Sequence, residues 1–317
     1  LILFQIILSL ISILIFHKII IQYEKKYLSS FLTYIFALFP LNIYAAAQVS
    51  SITLQIFLVL CFFYFLLKLR KNNRIKNIAF FSFFAGLLIL IRGEFFLFYF
   101  FALIYFFFYY EKKIKVTLIS LVITLIVISP YIYRNYLNFN TFVLTKSFGY
   151  NLLKGNNPTL KIEGNSKFIE TKFDRKKLKI KTDNNYEINL DNLYRDEAIN
   201  ILTKDPLKYI KFYLLKIFAF LLVDFNSSYP NYYNFFHLVP KIILSLICFA
   251  GALKALKKKG FFQFLSIFYF LNIFLFSIFF ILPRYSLILL PVKLLLSVSV
   301  IKYLKRGYYN TFNKDFF

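Results

Sequence analysis

Charged side chains lie at the ends of long apolar runs, where they are rare. They are Arg92 and Glu94 in "LILIRGEFFLF", Arg134 in "SPYIYRNYLNF" and Arg284 in "ILPRYSLILLPVK". A charged group at membrane depth costs several kcal/mol unless it pairs or meets water, so such residues are functional candidates. The planar guanidinium group binds phosphate through two parallel hydrogen bonds. The arginines therefore predict contact with an anionic lipid phosphate.

Simpler interpretations stand beside these. Arg92 and Glu94 also suit a short interfacial turn in which they neutralise each other, and Gly93 permits the tight break. Arg134 and Asn135 also suit the end of a span in an aromatic belt. For these sites both interpretations stay open, whereas we assign function to Arg284. For Lys293, deeper in the same run, we favour snorkelling or pairing inside the bundle.

The stretch "GYNLLKGNNP", residues 149–158, is a turn-rich polar segment in an otherwise apolar chain. Its asparagines are Asn151, Asn156 and Asn157. Asparagine, glycine and proline favour turns for local backbone reasons, which would make the stretch a solvated turn. The alternative is that the three amides line a binding cavity.

Composition sets the protein class. The chain has 317 residues, of which 60% are hydrophobic and 22% aromatic, more than a soluble domain needs. Runs such as 48–67, 261–282 and 286–304 are long enough to span a bilayer as helices. The net charge of +25 is clustered in short loops, the positive-inside pattern of membrane proteins, which excludes nucleic acid as a partner. Cys61, Cys248 and the two separated histidines indicate neither a disulfide nor a metal site.

The basic loops give a topology. We place the loops near residues 17–26, 68–76, 112–115, 254–259 and 302–306 in the cytoplasm. The predicted spans are then 1–16, 28–46, 48–67, 78–91, 95–110, 116–132, 237–253, 261–282 and 286–303. The predicted parts are a bundle of about six spans at 1–132, an outer loop at 133–206, an interfacial amphipathic helix with an outer loop at 207–236, about three spans at 237–304 and a cytoplasmic tail at 305–317.

The outer loop carries nine of the fourteen acidic residues. Residues 167–192 are charged, and we expect a mobile hairpin or a partly disordered stretch there. Residues 190–204 predict a helix with an apolar stripe, capped by Asp191 or Asn192. The segment 206–223, with Lys208, Lys211 and Lys216, predicts an amphipathic helix in the outer interface; a true span is the alternative.

At this point the motifs resemble those of a known family. "SPYIYRNY" and "GYNLLKGNNP" resemble the outer-loop motifs of bacterial glycosyltransferases with the GT-C fold, in the branch similar to dolichyl-phosphate-mannose protein mannosyltransferases and lipid A aminoarabinose transferases. "AGLLILIRGE" and "RYSLILLP" resemble two further motifs of that branch. Tyr131 stands where that branch has Trp, and Gly93 where Pro is common. Its acidic motif, which holds the catalytic Asp, has no counterpart here.

The resemblance implies an all-α, polytopic transmembrane helix bundle, GT-C-like, with a long mixed outer loop. It implies transfer of a sugar from a polyprenyl-phosphate donor to a glycan, lipid or protein acceptor. It places Arg92, Glu94, Arg134, Asn135, Asn151, Asn156, Asn157 and Arg284 in substrate binding. No cofactor is certain, and a divalent cation is left open.

Residue usage rich in Lys, Asn, Ile and Phe indicates an AT-rich genome. We therefore expect a multi-pass protein of a bacterial inner membrane, in contact with membrane lipids, with its active face periplasmic. The chain begins at Leu1 inside an apolar run, so we expect a fragment whose catalytic Asp lies in a missing N-terminal part. A transporter, or a flippase or polymerase of lipid-linked saccharides, is the alternative; broken helices, midplane polar pairs and repeats would favour transport.

The topology predicts the side on which Asn231 lies. With Cys61 and Cys248 replaced, a cysteine in an Asn231→Cys variant should react with a membrane-impermeant thiol reagent added from outside, because 206–223 is predicted not to cross. Labelling only from the cytoplasmic side would contradict this topology.

Overall fold

The computed structural model describes residues 1–72, 74–109, 113–177 and 180–312, with backbone only at 174–177 and 302–312. Every regular element in these ranges is a helix. The helices are α1 Ile2–Ile20, α2 Lys26–Leu38, α3 Pro40–Ala47, α4 Ile52–Lys71, α5 Ile75–Ile91, α6 Phe95–Tyr109, α7 Lys113–Phe139, α8 Phe148–Gly155, α9 Ser166–Lys177, α10 Tyr186–Lys204, α11 Pro206–Leu221, α12 Phe235–Leu256, α13 Phe261–Ile278, α14 Pro283–Ile288 and α15 Leu290–Phe312. The predicted all-α class is confirmed, while the described part of the loop at 133–206 is helical rather than mixed.

Five of these helices are long and apolar enough to cross a membrane: α1, α4, α7, α12 and α13. A sixth span is formed if α2 and α3 count as one, although they are bent by 49° where Pro40 cannot continue the hydrogen-bond ladder. Three shorter apolar helices, α5, α6 and Leu290–Ile301 of α15, account for the remaining predicted segments. The described chain is therefore a helical membrane protein.

The chain divides into two compact units. Unit 1 comprises 1–127, 235–270 and 286–317, and unit 2 comprises 128–234 and 271–285. Each unit is discontinuous in sequence, and the predicted order of parts along the chain stays a prediction. Residues 271–285, which begin within α13, belong to unit 2 with the predicted outer loop and not to unit 1.

Unit 1 has an aromatic core. The rings of Phe63 and Phe268 lie 5.2 Å apart, and those of Phe98 and Phe268 lie 4.7 Å apart. Phe81 and Phe106 join them from α5 and α6, with ring centroids 5.2 Å apart. Tilted and edge-to-face aromatic pairs contribute about 0.5–1.5 kcal/mol beyond their buried area. This explains how a chain rich in phenylalanine packs its bundle.

Unit 2 contains a small helical core built by α8, α9 and α10. Its buried members are Leu152, Leu153, Ile169, Phe173, Tyr194 and Ala198. The expectation of a mobile hairpin or disorder at 167–192 was wrong for the described residues, because nearly all of α9 and the first turns of α10 lie there. Two aromatic side chains, Phe173 and Tyr194, with ring centroids 5.6 Å apart, supply the apolar contact that the charged composition hides.

Helix α11 begins at a clear cap. Asp205 accepts a hydrogen bond from the backbone N–H of Lys208 at 3.2 Å, and Pro206 occupies the first turn, where its missing N–H costs nothing. One face is buried, whereas the other exposes large apolar side chains, led by Leu207 at 71%. Lys216 lies on the buried face, not on a polar face with Lys208 as the sequence suggested.

Helices α12 and α15 pack closely at Gly251. A Cβ atom at this position would lie 2.2 Å from the carbonyl oxygen of Leu296. We expect Gly251→Ala to lower the stability of the protein by about 1–3 kcal/mol, because the backbones must separate. Melting in detergent, followed by circular dichroism, measures this. The control is Leu253→Ala on the exposed side of α12; equal melting temperatures for the two variants would contradict the close contact.

Candidate functional site

The polar stretch 149–158 forms α8 and the turn after it, inside unit 2. The backbone N–H of Tyr150 donates to Oδ1 of Asp191 at 2.9 Å. Asp191 therefore caps α8 rather than α10, whose N-cap position is Asn185. A Cβ atom on Gly149 would lie 2.0 Å from the carbonyl oxygen of Asp191. Glycine at this position allows α8 to lie directly against α10.

Gly155 makes the corresponding contact at the other end of α8. A Cβ atom there would lie 2.3 Å from the carbonyl oxygen of Phe279. The turn after α8 is thus in backbone contact with the end of α13. A side chain at either glycine would push one of these segments away.

Asn156 and Asn157 are buried, and their amides are used within the protein. The Nδ2 atom of Asn156 donates to the carbonyl oxygens of Leu152 and Ile278, both at 2.9 Å. The Nδ2 atom of Asn157 donates to the carbonyl oxygens of Lys154 at 2.9 Å and Lys161 at 3.2 Å. These amides hold the turn together, and in this conformation they do not present donors to a ligand.

Lys216 joins the turn to the end of α13. Its ammonium lies 2.9 Å from Oδ1 of Asn156 and 2.7 Å from the carbonyl oxygen of Phe279. The carbonyl oxygens of Gly155 and Ile278 follow at 3.3 and 3.4 Å. Gly155 ends α8 and Ile278 ends α13, so the cation lies at the C-termini of two helices, where unpaired carbonyls and the helix dipoles favour positive charge.

Burial opposes this charge. Lys216 is 0% exposed, and desolvation lowers the pKa of its ammonium group to about 7. The four surrounding oxygens act in the opposite direction, because they accept hydrogen bonds from the charged form. Lys216 is therefore a cation held in place by carbonyl groups instead of a carboxylate.

Lys154 and Arg284 lie over neighbouring aromatic rings in unit 2, those of Phe280 and Tyr285, whose centroids are 5.9 Å apart. Burial lowers the pKa of Lys154, and the positive charge of Arg284 lowers it further, while Glu170 acts in the opposite direction. The Lys154 ammonium lies 4.6 Å from the ring centroid of Phe280. The Arg284 guanidinium lies 5.7 Å from that of Tyr285. Aromatic faces thus support two neighbouring cations of like charge.

The backbone around Gly164 positions Lys154. Gly164 has φ +81°, in the left-handed region that favours glycine. A Cβ atom on it would lie 2.8 Å from Cγ of Lys154. The carbonyl oxygen of Lys154 also accepts from the backbone N–H of Asn165 at 3.1 Å. Both ends of the lysine are therefore constrained.

The other predicted residues of unit 2 have local roles. Arg134 is exposed and donates to Oδ1 of Asn135 at 3.3 Å. Asn135 is buried and donates to the carbonyl oxygen of Val143 at 2.8 Å. Asn151 is half-buried, with Nδ2 3.5 Å from Oγ of Ser147. Arg134 and Asn151 thus keep part of their surface accessible.

Arg92 and Glu94 belong to unit 1 and form an ion pair. The Nε atom of Arg92 lies 2.6 Å from Oε1 of Glu94, and its Nη1 atom lies 3.5 Å from Oε1 of Gln55. This geometry is that of the mutually neutralising turn, the simpler of the two interpretations.

Two neighbouring cations on aromatic supports can bind an anion with more than one negative oxygen, such as a phosphate monoester. No group of three or more His, Cys, Asp or Glu side chains converges within the described ranges. A divalent cation therefore remains an untested expectation.

Comparison of the chain with family models, curated proteins and solved structures gives no match. The site therefore has to be interpreted from its own geometry and from the sequence motifs.

Sequence reasoning missed Lys154 and Lys216. Lys154 lies inside the quoted stretch "GYNLLKGNNP", and its electrostatic interaction with Arg284 depends on tertiary structure. Lys216 had a signal, since it lies in the apolar run "FYLLKIFAF". Its partners are about sixty residues away on both sides of the sequence, which no local pattern shows.

Replacing Lys216 tests its role. Lys216→Met should destabilise the protein by about 1–3 kcal/mol, because buried acceptors lose their donor. The pKa of Lys216 in the folded chain lies below the ordinary value of 10.5. As the pH rises from about 7 towards 10.5, Lys216 therefore loses its proton in the folded chain before it does so in the unfolded chain. The parent chain gains stability over this range, and the Met variant does not.

Melting temperatures of the parent chain and the Met variant across this pH range measure both effects. Lys211→Met, which changes an exposed lysine of the same helix, is the control. Equal melting of the two variants at every pH would show that Lys216 does not hold the turn.

Proposed function

We propose that this protein is a membrane glycosyltransferase with a GT-C-like fold that takes its sugar from a polyprenyl-phosphate donor. The observation that carries the proposal is that Lys154 and Arg284 lie over two neighbouring rings, Phe280 and Tyr285, whose centroids are 5.9 Å apart. Both residues lie in motifs that resemble those of such transferases, "GYNLLKGNNP" and "RYSLILLP". The resemblance alone did not imply this arrangement.

The reaction explains why two cations are needed. When the sugar leaves its carrier, the bond between the anomeric carbon and the phosphate oxygen breaks, and negative charge develops on the departing lipid phosphate. Positively charged donors positioned at that oxygen stabilise the transition state more than the ground state. Lys154 and Arg284 supply such donors, and the backbone contacts of Lys154 reduce the reorganisation needed.

The apolar surroundings suit a lipid carrier. The chain crosses a membrane through several helices, and α11 in unit 2 exposes Leu207, Ile210 and Leu214 along one side. We propose that this apolar side lies in the outer interface, so that the phosphate of a membrane-embedded polyprenyl chain reaches the cation pair from the lipid. The acceptor is a hydroxyl-bearing glycan, lipid or protein on the periplasmic face of a bacterial inner membrane.

A flippase or transporter of lipid-linked saccharides is the second candidate. One observation favours it: Lys241 and Lys293 are buried in apolar helices of unit 1, and the Lys293 ammonium lies 3.1 Å from Oγ of Ser245. Buried cations in spans mark transport pathways in many proteins. The two activities differ in chemistry, since a transferase releases polyprenyl phosphate and a flippase moves the lipid-linked saccharide intact.

Donor binding tests the cation pair without requiring turnover. The chain in phosphatidylcholine nanodiscs should bind a polyprenyl phosphate more tightly than the corresponding polyprenol. Arg284→Ala and Lys154→Ala should each weaken binding about tenfold or more, because a hydrogen bond to a charged group contributes about 1.5–3 kcal/mol. Arg284→Lys should restore only part of the affinity, since it keeps the charge but loses the planar fork.

Arg195→Ala provides the matched control. Arg195 is a partly exposed cation of α10 that pairs with its neighbour Asp196 at 3.0 Å. Its replacement should leave binding unchanged. Equal affinity of the parent chain for the phosphate and the polyprenol, or an equal loss in the Arg195 variant, would refute the proposal.

A further inference from the structure

Unit 2 contains a cavity of about 400 Å³. Neither Lys154 nor Arg284, the proposed phosphate ligands, lines it. Three segments bound it: the turn at 159–162, α11, and the loop at 223–228 that follows α11. Its volume lies in the range of about 300–1,000 Å³ typical of small-ligand sites. The sequence analysis assigned no role to this loop.

The loop at 223–228 is fixed by Tyr232, which is buried, and by Tyr233, which is exposed. The backbone N–H of Asp224 donates to the hydroxyl of Tyr232 at 2.8 Å. The hydroxyl of Tyr233 donates to the carbonyl oxygen of Asp224 at 3.2 Å and accepts from the backbone N–H of Ser227 at 2.9 Å. These contacts hold the loop through its backbone.

Glu163 joins this loop to the turn on the opposite side of the cavity. Its buried carboxylate accepts from the backbone N–H of Ser228 at 3.1 Å, from Oγ of Ser228 at 2.8 Å, and from Oγ of Ser227. A buried carboxylate with three donors is satisfied and rigid. The two walls are therefore held at a fixed distance before any ligand arrives, as preorganised sites require.

The side chains that line the cavity have mixed chemistry. Lys161 supplies a cation, whose ammonium has no hydrogen-bond partner among the described residues, and Asp224 supplies a carboxylate. Asn226 and Ser228 add neutral polar groups. At the rim the rings of Phe218 and Phe225 are nearly parallel, at 25°, with centroids 6.0 Å apart, and Phe225 is 72% exposed.

This combination selects among ligand classes. A simple anion would be repelled by Asp224, and a simple cation would be repelled by Lys161. A purely apolar ligand would leave the Lys161 ammonium desolvated without a partner among the described residues. A saccharide ring has hydroxyls that both donate and accept, so it satisfies both charges, and its faces of C–H groups pack against aromatic rings.

We propose that this cavity, which we call the 159–228 pocket, binds a neutral saccharide of one or two rings. Its hydroxyls bind Asp224 and Lys161, and a ring face packs on Phe225. The assignment of this saccharide as the acceptor glycan rests on the proposed transferase function, whereas the binding itself does not. The turn that carries Lys161 directly precedes Gly164, which positions Lys154, so both sites depend on the same segment.

The chain contains no tryptophan, which gives a clean experiment. Phe225→Trp places the sole indole at the rim of the pocket and keeps an aromatic face. Leu207→Trp is the matched control, because Leu207 is equally exposed on α11 but does not line the cavity. Both variants are studied in phosphatidylcholine nanodiscs, since a maltoside detergent would itself supply saccharide.

The probes are methyl mannoside, methyl galactoside, N-acetylglucosamine and maltose, with glycerol as the non-ring polyol. For the Phe225→Trp chain we expect a saturable change in indole fluorescence in the millimolar range with at least one sugar. We expect no such change with glycerol or for the Leu207→Trp chain. Adding Asp224→Asn, which keeps the acceptor for the backbone N–H of Asn226, should weaken binding about tenfold. Lys161→Gln should also weaken it.

The same change in both tryptophan variants, or no saturable change with any sugar, would overturn the proposal. Circular dichroism and melting of the Asp224→Asn chain establish that the loop is still folded. Polyprenyl phosphate binding is measured separately on the parent chain and Arg284→Ala. If polyprenyl phosphate does not bind as expected but a sugar does, the proposed transferase function is rejected and the saccharide pocket stands. If polyprenyl phosphate binds as expected but no sugar does, only the pocket is rejected.

Discussion

The ammonium of Lys216 lies where two helices end, and the arrangement of unit 2 depends on it. The carbonyl oxygen of Gly155 at the end of α8 accepts from this cation, and that of Ile278 at the end of α13 accepts from it and from Nδ2 of Asn156. A carboxylate partner would have neutralised the lysine but could not have donated hydrogen bonds to these carbonyl groups. The carbonyl ligands instead tie together segments separated by 122 residues of sequence.

Three acidic residues of this basic chain accept hydrogen bonds from backbone N–H groups at helix N-termini and in a loop, whereas Lys216 donates to carbonyls at helix C-termini. Asp191 accepts from the first turn of α8, Asp205 from the first turn of α11, and Glu163 from the loop after α11. Cations lie at helix C-termini and carboxylates at N-termini, as the direction of the helix dipole favours. These three acids satisfy backbone N–H groups, which fixes turns that carry basic side chains.

The apolar segments could be predicted from sequence because hydropathy and loop charge are local properties. All nine predicted spans contain apolar helices, although Pro40 breaks one of them and α13 ends at Ile278, earlier than its hydrophobic run. The amides of Asn156 and Asn157 could not be interpreted in the same way. An asparagine that binds a ligand and one that binds a carbonyl 122 residues away look identical in sequence. Helix α9 was missed for a related reason, since its charged residues conceal the apolar contact of Phe173 with Tyr194.

The exposed apolar side of α11 affects how the two units can be separated experimentally. Leu207, Ile210 and Leu214 are each more than half exposed. If unit 2 were isolated in water, these side chains would form an apolar patch that promotes aggregation. Unit 2 has its own core and its own polar network, yet it carries this surface wherever it is cut from the rest of the chain. Its purification in isolation would need amphipol or detergent, and solubility in plain buffer is not a test of whether it has folded.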